Sequence, residues 1–198
     1  EKPSVQTAVA GYHIPASVYL LGIGGIGMSA LARYFAVHGS AVSGYDRTQS
    51  PLTDELTREG MNIHYTDEIA LIPNAPELVI YTPAVPREHK EYRYFLEHHK
   101  EMKKRAEDLG MISRNYRTIA VAGTHGKTTT STLIAHILHT AGTSFLAFLG
   151  GISKNYGTNF LTNLPGEQLT THTHDRQHSP AFCVVEADEY DRSFLQLT

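Results

Sequence analysis

Thr118-Ile-Ala-Val-Ala-Gly-Thr-His-Gly-Lys-Thr-Thr-Thr130 is the stretch on which the fold turns. Residues 119–122 form a short apolar run of the kind that makes a buried parallel strand. A glycine-bearing turn follows at residues 123–126, and then Lys127 and Thr128. Beyond it, Leu133, Ile134, Ile137, Leu138 and Ala141 recur at helical spacing, which predicts a helix with these residues on one face. Strand, glycine turn, Lys-Thr and helix is the layout of a phosphate-binding loop. Its backbone N–H groups point at an anion, and the helix dipole favours negative charge there. The lysine reaches the outer phosphates and the threonine hydroxyl can ligate Mg²⁺. The full pattern G-x-x-x-x-G-K-[ST] asks for glycine at position 121, where Val121 stands. The bland alternative is a turn that only connects a strand to a helix, but Lys127 and Thr128 have no packing reason to be there. The expectation is an ATP site made by Gly123, Thr124, His125, Gly126, Lys127, Thr128 and Thr129.

The whole chain, 198 residues with 41% hydrophobic content, suits one large domain or two small ones. A net charge of −3 with 17 basic residues gives no electrostatic case for nucleic acid or an anionic membrane. No apolar run approaches the roughly 18 residues that a membrane-spanning helix needs. Residues 1–15 lack the apolar core of a signal peptide. The single cysteine, Cys183, excludes an internal disulfide and fits a reducing cytoplasm. Its neighbours Phe182, Val184 and Val185 predict an inert, buried thiol.

Nearer the N-terminus a second strand, residues 18–21, runs into Gly22-Ile-Gly-Gly-Ile-Gly27, and a helix follows with Met28, Leu31, Ala32 and Phe35 on one face. The run fits G-x-G-x-x-G, weak alone but strengthened by its place between strand and helix. A further strand, residues 41–45, ends in Asp46, about where a dinucleotide fold places the acid that binds a ribose hydroxyl. The alternative is a tight turn and a solvated aspartate. Residues 51–60 read as a helix ended by glycine, and 61–64 and 78–81 as strands. Thr82-Pro83-Ala84-Val85-Pro86 is an extended turn at a strand's carboxyl end, where open α/β sheets bind ligands. Residues 88–104 are polar and helix-prone, with His98 and His99 on a solvated face. A short helix at 106–112 leads to a domain boundary, so that residues 1–116 and 117–198 are expected to be separate domains.

After the phosphate-loop helix, residues 144–149 read as a strand ending in Gly150-Gly151, and residues 153–163 as a polar stretch. Residues 165–180 have the composition of a loop. Their His172, His174 and His178 could hold a metal, but more often such a run is an insertion. The last apolar strand delivers Glu186 at its carboxyl end, a layout in which an acid helps to bind the Mg²⁺ of a nucleotide. A solvated acidic turn is the alternative. The fold class read from these elements is α/β: a Rossmann-like parallel-sheet N-terminal domain followed by a truncated P-loop ATPase domain, since too few strands follow Thr118 to close it.

Gly22-Ile-Gly-Gly-Ile-Gly-Met28, Gly123-Thr-His-Gly-Lys-Thr-Thr-Thr130 and Glu186-Ala-Asp-Glu189, in that order, resemble the Mur ligases, the ATP-dependent amino-acid ligases of peptidoglycan synthesis. The Tyr81-Thr-Pro-Ala-Val-Pro86 turn and Arg105-Ala-Glu-Asp108 strengthen the resemblance. It covers residues 18–198, the N-terminal half of such an enzyme, and Val121 is normal in the family. It implies a cytoplasmic enzyme that joins L-alanine to the carboxylate of UDP-N-acetylmuramate through an acyl phosphate. Gly24, Gly25, Ile26 and Gly27 would hold the UDP diphosphate, with Asp46, Thr82, Pro83 and Ala84 around the uridine and Asn159 near the muramic acid. Lys127 would hold the β- and γ-phosphates, Thr128 and Glu186 the Mg²⁺, and His125 would sit beside the γ-phosphate. Two rivals stay open: a related ligase that attaches a tripeptide to the same sugar nucleotide, and an NAD-dependent oxidoreductase built on residues 22–27 and Asp46. The second leaves Lys127, Thr128 and Glu186 without a task. A third possibility is a nucleotide-binding module without turnover.

Overall fold

Two strands of two residues each, β1 (Ala8–Val9) and β2 (Tyr12–His13), pair antiparallel ahead of the first large sheet. The structure, a computed structural model, describes residues 8–9, 12–73, 75–164 and 181–187. The chain then alternates β3 (Ser17–Leu21), α1 (Ile26–Val37), β4 (Ala41–Tyr45), α2 (Pro51–Arg58), β5 (Asn62–His64), β6 (Leu78–Tyr81), α3 (Lys90–Glu97) and β7 (Met102–Lys104). All five strands run parallel in the order β5-β4-β3-β6-β7. The first strand is therefore central and the order reverses between β3 and β6. That reversal opens a crevice at the strands' carboxyl ends, and the turns after β3 and β6 lie beside each other there.

The apolar pattern explains these elements. Val18, Tyr19, Leu20 and Leu21 of β3 are all fully buried, as a strand covered on both faces requires. Helix α1 buries Met28, Leu31, Ala32 and Phe35, the face read from the sequence. It also buries Arg33, whose guanidinium is held by Glu59 at 2.7 Å and Glu55 at 3.3 Å. Helix α2 starts at a capping box between Ser50 and Thr53 with Pro51 in its first turn, the pre-organised start that proline favours.

Two stretches differ from expectation. Residues 88–104 are not one polar helical segment: α3 ends at Glu97 and β7 adds an edge strand beside β6. The charges of Met102-Lys-Lys104 hide a strand that needs little apolar cover at a sheet edge. Within α3, Phe95 is fully buried against Tyr19, with ring centroids 5.1 Å apart. His98 and His99 are exposed, as expected.

The remaining elements are α4 (Arg105–Ser113), β8 (Arg117–Val121), α5 (Lys127–Thr140), β9 (Phe145–Ser153), β10 (Thr158–Thr162) and β11 (Phe182–Glu186). Strand order is β10-β9-β11-β8, with β11 parallel to β8 and β9, and β10 antiparallel to β9. Ala135 of α5 packs with Phe145, Ala147, Leu149 and Val184 as the core of this sheet. Here again two expectations change. Strand β9 continues through Gly150 and Gly151 to Ser153, and the polar stretch after it contains β10. Thr158-Asn-Phe-Leu-Thr162 has no alternating apolar pattern of its own and makes a strand once β9 supplies its hydrogen-bonding partner. On α5, Ile134 and Leu138 pack against the core, whereas Leu133 and Ile137 are exposed, so the apolar face is narrower than its spacing suggests. Cys183 is fully buried, and burial pushes its thiol pKa up, the inert state expected of it.

The chain forms two compact units, residues 15–108 and residues 109–198 together with 1–14. The division falls inside α4.

Candidate functional site

The glycine turn after β3 is assembled largely by its own amides. Gly22 and Ile23 donate N–H bonds to the Tyr45 carbonyl at 2.8 and 3.1 Å, and Gly25 donates to Gly22 at 3.1 Å. Gly24 donates to Asp46 Oδ2 at 2.8 Å, and Thr48 donates to the other Asp46 oxygen at 3.1 Å. A Cβ on Gly24 would stand 2.8 Å from that Asp46 oxygen, so only glycine allows the approach. Gly25 is the N-cap of helix α1, which has no side-chain cap and no acid in its first turn. With the amides of 22–25 turned inward, the donors that α1 offers an anion begin in its first turn, at Gly27 and Met28.

Thr82, Pro83 and Ala84 flank this turn. The Thr82 methyl lies so near Gly22 that a Cβ there would come within 2.7 Å of it. The turn is closed by a Val85 N–H bond to the Thr82 carbonyl at 3.1 Å, and Pro83 and Ala84 are exposed beside it. Sequence reasoning missed one group. Arg105 packs its guanidinium on Gly27, where a Cβ would meet Nη1 at 2.8 Å, so a cation stands at the glycine turn. It is the first residue after β7, at the same carboxyl edge as the other turns, a place readable only once β7 is recognised.

Behind the turn lies a buried polar network that the sequence does not announce. Tyr19 donates its hydroxyl to Glu91 at 2.6 Å and lies 2.7 Å from His64 Nε2. Asp67 accepts the Lys90 and Glu91 amides at 3.0 and 3.2 Å, and lies 3.2 Å from His89 Nδ1. Burial pushes the Glu91 carboxyl up to about 7 and the His64 and His89 imidazoles down.

The phosphate loop has a different anatomy. Gly126 caps α5 at φ 77°, in the left-handed region that favours glycine. Lys127 Nζ donates to the Gly123 carbonyl at 2.7 Å, and Thr124 and His125 are exposed at the loop's tip. Val121, at the position where the general motif has glycine, is buried at the end of β8. β11 lies next to β8 with Glu186 opposite Val121, which carries the acid to the loop. Thr128 donates its hydroxyl to Glu186 Oε2 at 3.1 Å; Ser131 and the Gly150 amide donate to Oε1 at 2.7 and 2.8 Å. Thr129 is exposed on α5. Asn159, read from the sequence as part of the sugar site, is wholly buried on β10.

A hydroxyl and a carboxylate, both hard oxygen donors, fit Mg²⁺, which keeps waters and substrate phosphates as its other ligands. Among the described residues no cluster of three His, Cys, Asp or Glu forms a metal cage. His172, His174 and His178, and the acids after Ala187, lie outside the described residues. Among the described residues no helix is long and apolar enough to cross a membrane.

Comparison with known proteins agrees with this anatomy. The family description "Mur ligase family, catalytic domain" matches residues 17–117, and "Mur ligase middle domain" matches residues 121–197. A UDP-N-acetylmuramate–L-alanine ligase of Flavobacterium johnsoniae is 52% identical over 185 residues, and its namesake in Cytophaga hutchinsonii 50% identical over 187. These alignments cover 91% and 92% of this chain, which spans 38% of each relative's length. A solved UDP-N-acetylmuramate–alanine ligase of Thermotoga maritima superimposes with a TM-score of 0.72 at 27% identity, over 86% of this chain and 37% of that one. A murein peptide ligase of Psychrobacter arcticus superimposes with a TM-score of 0.74 at 31% identity, over 88% and 38%. Two glycine turns that each follow a strand with parallel neighbours, a Lys-Thr loop met by a strand-end glutamate, and family matches that take up both units lead to one assignment: the chain belongs to the Mur ligase family.

Proposed function

We propose that this chain supplies the UDP-sugar and ATP sites of a ligase that joins L-alanine to the carboxylate of UDP-N-acetylmuramate. The observation that carries the proposal is the meeting of Thr128 and Glu186, one residue beyond the phosphate-loop lysine. An oxidoreductase has no use for that arrangement. The names of the relatives at 50 and 52% identity support L-alanine as the amino acid. Residues 1–116 are the UDP-sugar domain on this reading, and residues 117–198 the first part of the ATP domain. The co-substrates imply a cytoplasmic enzyme.

A carboxylate is a poor electrophile, so it first attacks the γ-phosphorus of ATP. The bond to the β-phosphate oxygen breaks and ADP leaves. The amine of alanine then attacks the acyl carbon, loses a proton, and inorganic phosphate departs. Lys127 leaves the Gly123 carbonyl to neutralise charge on the transferring phosphoryl group, and the amides at the start of α5 orient it. Thr128 and Glu186 would hold Mg²⁺, which supplies charge neutralisation on the phosphates. His125 stands at the exposed tip of the loop, beside the γ-phosphate. In the first unit, the first-turn amides of α1 at Gly27 and Met28, with Arg105, receive the diphosphate, while Asp46 and Gly24 shape the turn under it. Thr82, Pro83 and Ala84 close over the uridine.

Phosphate release by the full-length protein, with UDP-N-acetylmuramate and a panel of amino acids and peptides, tests the reading. Release with L-alanine alone is expected. Release only with a tripeptide would transfer the assignment to the peptide ligases. Calorimetry on this chain adds the test of the first unit: UDP ligands bind and NAD⁺ binds far more weakly. Tight NAD⁺ binding with no response to UDP would sink the ligase reading of residues 22–27.

A further inference from the structure

We infer that Ser131, with the Gly150 amide, is a positioning group that holds one oxygen of Glu186 so that the other faces the cation of a bound nucleotide. The inference rests on the reading of Glu186 as a cation-binding acid. Ser131 lies one turn beyond Thr128 on the same face of α5, and it is fully buried. A buried serine inside a helix normally bonds back to a carbonyl of the preceding turn. Here the Thr128 carbonyl is 3.1 Å away, but Glu186 Oε1 is nearer, at 2.7 Å. A hydroxyl has one hydrogen, and the shorter, charge-assisted bond takes it.

The Gly150 amide donates to the same oxygen at 2.8 Å. A Cβ on Gly150 would overlap the Glu186 carboxylate, so glycine is what lets β9 come this close. Oε1 therefore carries two donors, one from a helix and one from a strand. Oε2 carries the Thr128 hydroxyl, the group expected to turn its own oxygen to the metal. The two oxygens of one carboxylate are thus divided between the scaffold and the ligand. The division does not follow from the strand-end acid alone: it needs a hydroxyl at position 131 and no side chain at position 150.

Calorimetry of ATP binding to the full-length protein, with Mg²⁺ and again in a chelator, tests this. Ser131→Ala is expected to weaken binding in Mg²⁺ about tenfold, the scale of a lost bond to a charged group, and to leave metal-free binding unchanged. Ser131→Cys, close in shape but a weaker donor, should show a smaller loss of the same kind. In turnover, Ser131→Ala should raise the Mg²⁺ concentration for half-maximal rate without moving the KM for the UDP-sugar. Equal losses with and without metal would show a merely structural serine and overturn the inference, as would no loss at all. If Ser131→Ala does not fold, Ser131→Cys decides by the same comparison. If the unsubstituted protein binds ATP no better with Mg²⁺, the reading of Glu186 itself fails, a result distinct from failure at Ser131.

Discussion

Both glycine turns follow a parallel strand, both start a helix, and both receive an acid from the neighbouring strand of their own sheet. The acids do opposite work. Asp46, at the end of β4, bonds the backbone of its turn through Gly24 N–H. Glu186, at the end of β11, bonds no amide of its loop and reaches the hydroxyls of Thr128 and Ser131 instead. The first acid shapes the turn and so leaves the ligand to the helix amides. The second accepts the Ser131 hydroxyl and the Gly150 amide on one oxygen and shares the other with the Thr128 hydroxyl, a carboxylate beside a hydroxyl of the kind that a cation needs. Their cations differ too: Lys127 belongs to its own loop, while Arg105 comes to Gly27 from the far side of β7. One local layout thus makes two differently furnished turns, which the proposed function reads as two kinds of phosphate site, and the side chains delivered by other elements make the difference.

The sharpest way to break this comparison is Lys127→Ala in the full-length protein. Loss of a charge aimed at the transferring phosphoryl group should lower turnover by about a thousandfold or more. Binding of UDP ligands should be unaffected, and near-normal phosphate release would remove the loop from the mechanism. Arg105→Ala should do the converse. Loss of a charge-assisted contact is worth about tenfold or somewhat more in affinity for a UDP ligand, with ATP binding unchanged by calorimetry; equal weakening of both would mean that Arg105 only supports the fold.

Asp46→Ala should weaken UDP binding by a smaller factor, about three- to tenfold, because it loosens the turn without removing a contact to the ligand. A loss larger than that of Arg105→Ala would show that Asp46 touches the ligand directly. The smallest effect concerns the network behind the first turn. Glu91 keeps its proton up to about 7 in the folded chain, against an ordinary 4.5. Between those values the folded state binds more protons, so this group's stabilising contribution falls as pH rises to about 7 and is level above. His64 and His89, pushed down by burial, act in the other sense below their ordinary value of 6.5. Thermal melts of Glu91→Gln and the parent chain, each also carrying His64→Gln, compared pH by pH, leave the Glu91 part. The variant's relative Tm should rise from pH 5 to 7, and a flat difference would show that Glu91 is not protonated in the fold.

Much of this architecture was legible in the chain. Apolar runs such as residues 18–21 and 119–122 are strands by composition, and a glycine turn before a periodic helix is a local signal. The misses share a cause. β7 and β10 are polar strands, stabilised by a neighbour rather than by their own pattern, and Arg105 becomes visible as a site residue only through β7. Leu133 and Ile137 failed in the opposite direction: helical spacing counts apolar residues but does not say how wide a face the sheet covers. The Tyr19–His64–Glu91 network was hidden because a charged residue in a polar helix reads as solvated until the fold buries it.

By itself the sequence determined two strand–turn–helix units, a glycine loop carrying a lysine and a threonine, and an acid at the end of an apolar strand. Each of these depends on residues within about ten positions of one another, where backbone geometry and side-chain period suffice. Only the tertiary structure decided which acid meets which turn and with which of its atoms. Asp46 reaches an amide 22 residues away, and Glu186 reaches hydroxyls 58 and 55 residues away. Those pairings are set by strand order and by how closely β9 lets an acid pass Gly150, and neither is written in any short stretch of the chain. A hydrogen bond needs its partners placed to within a few tenths of an ångström, and packing of distant elements is what places them.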